Sequence, residues 1–178
     1  MLPILDAFLQ IALRRRGPED LPDSRFLLLF AGALYVITQA LLATPGSASP
    51  LALARSVVLD LLLLCGGLWG LLRLTDHKPR FRQTLTAMFG TGVLLSVFML
   101  PINYWFTLAS GLGLAVDPAK PPIVIGIGAL AILVWWLVVN GHIFSRALSV
   151  SFAIGLAIAA GYYVLSSLVL GQLWQPPP

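Results

Sequence analysis

The chain has 178 residues, of which 58% are hydrophobic and 10% charged, where an ordinary soluble domain carries about 25% charge. With a mean hydropathy of +0.92, this composition excludes a disordered segment and a nucleic-acid-binding domain, and the single Cys65 excludes a disulfide scaffold. The net charge of +4 sits between apolar runs, so the basic residues read as topology signals and not as a footprint for an anionic polymer.

The first apolar stretch, MLPILDAFLQIAL, precedes its arginines instead of following them, so it does not read as a cleaved signal peptide. Leu5, Phe8, Leu9, Ala12 and Leu13 recur at helical spacing. Residues 1–16 are therefore expected to form a short amphipathic helix lying on the inner membrane surface, held by Arg14, Arg15 and Arg16.

A bilayer core about 30 Å thick needs about 20 apolar helical residues. Residues 26–43 supply the first such run, ending at Thr44, Pro45 and Gly46. Residues 51–72 supply the second, with Arg55 near its start and Asp60 near its middle. The uncharged stretch 83–116 is too long for one straight crossing and too short for two. Pro101 is expected to end or kink the third span, 83–101, leaving Tyr104, Trp105 and Phe106 at the interface and residues 107–122 as a loop. The fourth span runs over 123–140 and the fifth over 147–170, before Trp174 and a proline tail. The whole chain, 1–178, reads as one all-α polytopic membrane bundle of five transmembrane helices plus the interfacial helix.

Arg14, Arg15, Arg16, Arg25, Arg73, Lys78, Arg80, Arg82 and Arg146 collect on one side of this arrangement, against Arg55 and Lys120 on the other. Because basic residues in short loops stay in the cytoplasm, the N-terminus is expected to be cytoplasmic and the C-terminus external, in a membrane of the bacterial inner type. Arg14, Arg15, Arg16, Arg80 and Arg82 are the candidate contacts for anionic lipid.

Asp60 carries the sharpest signal, since a carboxylate deep in a span costs several kcal/mol unless it is paired or neutralised. Ser56 and Gly67 share its helical face, giving a polar and small stripe suited to close helix approach. Two readings follow: a proton or cation site, or a hydrogen-bonded lock between helices. Arg55, roughly opposite on the wheel, is expected to snorkel to the outer headgroups. In the fifth span Ser151, Gly155 and Ala159 form a second close-packing face, joined by Tyr162 and Ser166. Thr38, Gln39, Asn103 and Thr107 are expected near the outer leaflet. His77 and His142 fall in or beside loops, and no HExxH, GxSxG, P-loop or cysteine pair occurs, so no metal, no cofactor and no enzymatic activity are expected.

Two stretches, RFRQTLTAMFGTGVLL (80–95) and HIFSRALSVSFAIGLAIAAGYYVLSSLVL (142–170), together with the five-span layout, resemble the Yip-domain family of small Ypt/Rab-interacting membrane proteins in its bacterial form. EDLPDS (19–24) is similar to the acidic, proline-containing lead-in of eukaryotic members, but the long cytoplasmic region of those members is missing. The resemblance implies a non-enzymatic scaffold, trafficking or assembly-type factor that binds membrane partners or lipids, and it supplies no catalytic residue. The alternative from the residues themselves is a small transporter or channel subunit using Asp60. Expected partners are the lipid bilayer and other membrane proteins or a second copy, with no nucleic acid.

Overall fold

The computed structural model describes residues 2–43, 50–111 and 122–173. Thr44, Pro45 and Gly46, most of the expected 107–122 loop and the proline tail lie outside them. The described residues are helical throughout, without strands: α1 (Leu2–Ala12), α2 (Arg25–Ala43), α3 (Pro50–Leu74), α4 (Phe81–Gly111), α5 (Ile123–Leu148) and α6 (Phe152–Leu173), with short 3-10 turns at Pro18–Asp20 and Lys78–Arg80. The last five of these helices are long and apolar enough to cross a membrane, as the composition of the five runs requires.

Three boundaries differ from the sequence reading. Pro101 does not end the third span, because α4 continues to Gly111. Proline removes one backbone donor, and Asn103 ties this part of α4 to its neighbour by donating Nδ2 to the Leu42 carbonyl at 3.1 Å. The fourth helix runs to Leu148 rather than Asn140, so Arg146 and Ala147 belong to it. α6 accordingly starts at Phe152 and not at 147.

α4 is the central element. Of its apolar window 56% is buried, against 11–17% for the other four spans. Small residues make this possible. Phe89 packs beside Gly32, whose absent Cβ would come within 3.2 Å of the ring, and Tyr35 packs over Gly92 at 2.9 Å. α2 and α4 thus run parallel in a single register, with Tyr35 and Phe89 ring centroids 5.1 Å apart. The buried Thr84, Thr86 and Thr91 would be costly in this position, but each hydroxyl donates to the carbonyl four residues back at 2.8 Å.

α1 is docked onto the bundle instead of lying free on its surface. Phe8, Ile11 and Ala12 are buried, and Phe8 occupies the space that a side chain at position 90 would need. Ile4 and Leu5 share a groove with Phe30 and Leu34 of α2 and Leu94 of α4. At its other end the Ala12 carbonyl accepts from Trp135 Nε1 at 3.1 Å, and the Arg16 carbonyl pairs with His142 Nε2 at 2.8 Å. Since Gly90 lies nine residues into α4, Phe8 is held about 13 Å along that helix. Leu5, Leu9 and Leu13 remain on the exposed face. The periodicity noticed in the sequence therefore marks two apolar faces, one for α4 and one for lipid.

α1, α3 and α5 end in the same way. Arg14, Asp76 and Ser149 adopt left-handed backbone (φ 61°, 61° and 55°), and the next residue's N–H reaches back to the carbonyls of Gln10, Leu72 and Ser145, the Schellman closure. A non-glycine residue pays a steric penalty there. Asp76→Gly is expected to raise stability by about 0.5–1 kcal/mol, read as a higher melting temperature in detergent. An unchanged or lowered melting temperature would show that Asp76 makes a compensating contact.

Candidate functional site

The buried core lies toward the arginine-rich end: Leu64, Leu68 and Leu72 of α3, residues 84–91 of α4 and, on α5, residues 139–141, 143–145, 147 and 148. There α5 and α6 are clamped together. A Cβ on Gly155 would strike the Gly141 carbonyl and come within 2.7 Å of the Ser145 nitrogen, and one on Gly141 would lie 2.9 Å from the Leu156 Cα. Beyond the clamp, a cavity of about 590 Å³ opens between α2, α3, α4, α5 and α6, within the range usual for small-ligand sites. Met88 and Asn140, both buried, close it toward the arginine-rich end. Leu130 and Tyr163 line it and are 60% and 38% exposed, so the cavity reaches the surface beside the far halves of α5 and α6.

Polar groups converge on this cavity from all five helices: Tyr35 and Gln39 of α2, Asp60 of α3, Ser96 of α4, Asn140 of α5 and Tyr162 of α6. Tyr35, 6% exposed, donates its hydroxyl to Asp60 Oδ2 at 2.8 Å and so ties α2 to α3. Asn140 donates Nδ2 to the Trp136 carbonyl at 2.9 Å. Trp136 lies 6.3 Å from Tyr162 and 5.9 Å from Tyr163 by ring centroids, forming one aromatic wall. The Tyr162 hydroxyl is buried and finds no hydrogen-bond partner among the described residues.

Of the stripe read from the sequence, only Asp60 enters this site. Ser56 donates to its own helix at the Leu53 carbonyl, 2.8 Å away. Gly67 has open space where its side chain would be. The buried stripe of α3 is Leu64, Leu68 and Leu72, rotated by about 80° from the Asp60–Gly67 line at 100° per residue, so Gly67 faces outward and supports no close approach. Arg55 is exposed and forms no ion pair with Asp60.

The second face is used inside the chain. Gly155 and Ala159 are buried, whereas Ser151 is exposed at the start of α6, its hydroxyl 3.5 Å from the Ile154 N–H. Thr38 bonds to its own helix. Gln39 is in the cavity and Asn103 reaches α2, so the expected outer-leaflet cluster is divided between two places.

The arginines also divide. Arg80 donates to the Arg146 and Ala147 carbonyls at 3.1 and 3.0 Å and to Ser149 Oγ at 2.8 Å, capping the last turn of α5. Arg82 pairs with Asp23 at 2.8 Å, Arg146 pairs with Glu19, and Arg14 lies 4.2 Å over the Phe152 ring. Arg80 and Arg82 are thus occupied by protein groups, and Arg14, Arg15 and Arg16 are all exposed, Arg14 against the Phe152 ring. These contacts gather the 14–25, 78–82 and 146–152 segments at one end of the bundle.

Asp60 stands out in the sequence, whereas its partner Tyr35 does not. The signal for Tyr35 was a lone tyrosine hydroxyl in the middle of an apolar run, which in hydrocarbon needs a partner just as a carboxylate does. Asn140 and Ser96 carried the same signal.

Fold and site together define a helical bundle of integral-membrane type with a polar cavity between its five long helices. No protein-family model, curated protein or solved structure matches the chain. The resemblance to the Yip-domain family therefore rests on the five-span layout and the stretches quoted above.

Proposed function

We propose that this is a non-enzymatic integral membrane protein that binds a small ligand in the cavity beside Asp60, as a small transporter or carrier does, with its arginine-rich end in the cytoplasm. The observation that supports it is the convergence of Asp60, Tyr35, Gln39, Ser96, Asn140 and Tyr162 on one open cavity. A scaffold or trafficking role through the small-residue face has less support, because Gly155 and Ala159 are consumed by α5.

The test is native mass spectrometry of the purified chain beside Ala129→Trp, which fills the cavity from α5. A small molecule held by the wild type and absent from a folded Ala129→Trp is the expected result. A stoichiometric protein partner retained by both, with no small molecule in either, would return the scaffold reading.

A further inference from the structure

We propose that the ligand of this cavity is an organic monocation, an ammonium group carried on an apolar body. This rests on reading the cavity as a ligand site.

Among the described residues that line it there is no lysine, arginine or histidine, and Asp60 is the one carboxylate. Among the described residues its carboxylate accepts a single hydrogen bond, from Tyr35, out of about four lone-pair positions. No basic side chain of the described residues pairs with it, since Arg82 and Arg146 are engaged with Asp23 and Glu19 and Arg55 is exposed. Asp60 is half-buried within a span, where a charge without a counter-charge is costly. A ligand cation supplies the missing charge.

Two further features fit the same class. Trp136, Tyr162 and Tyr163 form a contiguous aromatic wall, and the faces of Trp and Tyr attract cations within about 6 Å. The buried Tyr162 hydroxyl has no partner among the described residues, so it is left to accept from an ammonium N–H. The remainder of the lining is apolar, with Leu64, Leu95, Met99, Ile132 and Leu133, which suits a hydrocarbon body. An anion would face Asp60 without any basic residue to offset it. A neutral lipid would leave the carboxylate uncompensated.

The experiment measures the rise in melting temperature of the full chain, in a neutral detergent, on titration with benzyltrimethylammonium and with its uncharged carbon isostere, neopentylbenzene. Saturable binding of the cation is expected, about ten-fold or more tighter than the isostere. Asp60→Asn is expected to remove most of that difference and leave isostere binding unchanged. Trp136→Leu is expected to weaken the cation selectively, which keeps a readout if Asp60→Asn does not fold. With benzylammonium, which has N–H donors, Tyr162→Phe is expected to weaken binding, while benzyltrimethylammonium stays unaffected. Equal affinity for cation and isostere, or a cation affinity indifferent to both Asp60→Asn and Trp136→Leu, overturns the cation class and leaves the cavity as a site for neutral ligands. No saturable binding of any probe, with Ala129→Trp behaving as the wild type does, overturns both the class and the cavity reading.

Discussion

Gly155→Leu is expected to prevent stable folding, while Gly67→Leu is expected to change stability by less than about 0.5 kcal/mol. Both glycines lie in apolar spans and both read from sequence as close-approach positions. At 155 the first added carbon meets backbone, namely the Gly141 carbonyl and the Ser145 nitrogen. Backbone cannot rotate away as a side chain can, so α5 and α6 must separate. Overpacking usually costs about 1–3 kcal/mol, and here the cost is expected at or above that upper end, because separation also opens the contacts of Val139, Ile143 and Ala159. At 67 nothing lies within 4 Å, and a leucine there meets lipid. Melting curves of the two variants in one detergent check this. Equal losses at both positions would show that the α5–α6 clamp is not the point of close approach.

A double-mutant cycle on Tyr35 and Asp60 is the second large effect. Tyr35→Phe removes the one donor to Asp60 among the described residues, and Asp60→Leu leaves the Tyr35 hydroxyl unpaired in a buried position. Each single change is expected to cost about 1–3 kcal/mol, because a polar group loses its partner where water does not replace it. The double variant is expected to recover most of that loss, since removing both partners together leaves no orphan. A non-additivity of about 1 kcal/mol or more in detergent unfolding supports a helix-bridging bond. Strict additivity would mean that α2 and α3 are joined by packing alone. The double variant also separates the two roles of Asp60. It keeps the bundle while removing the carboxylate, so it should melt near the wild type and lose cation binding.

The arginines show how one residue type divides by its neighbours. Charge count and position sufficed to gather them at one end. Nothing in the positions of Arg80 and Arg82 announced that the first would cap the open carbonyls of α5, sixty-six residues away at Arg146, or that the second would pair with Asp23. Orphan carbonyls at a helix end attract a donor, but which donor arrives depends on how the helices are arranged.

Sequence alone determined the five apolar helices, their approximate limits and the one-sided clustering of positive charge. Each depends on local composition: about 20 consecutive apolar residues suffice to favour hydrocarbon, and the helix satisfies its own backbone. Tertiary structure alone decided which helix is central, that α4 continues past Pro101 to Gly111, that Phe8 is docked over Gly90, and that Gly155 and not Gly67 marks a close contact. It also decided that Asp60 meets Tyr35 and shares a cavity with Tyr162 and Trp136. The physical reason is that in an apolar solvent every span is hydrophobic on all sides, so hydropathy does not distinguish a face turned to lipid from one turned to protein. That choice rests on shape and on the pairing of a few polar groups, which become partners only when the helices are brought together.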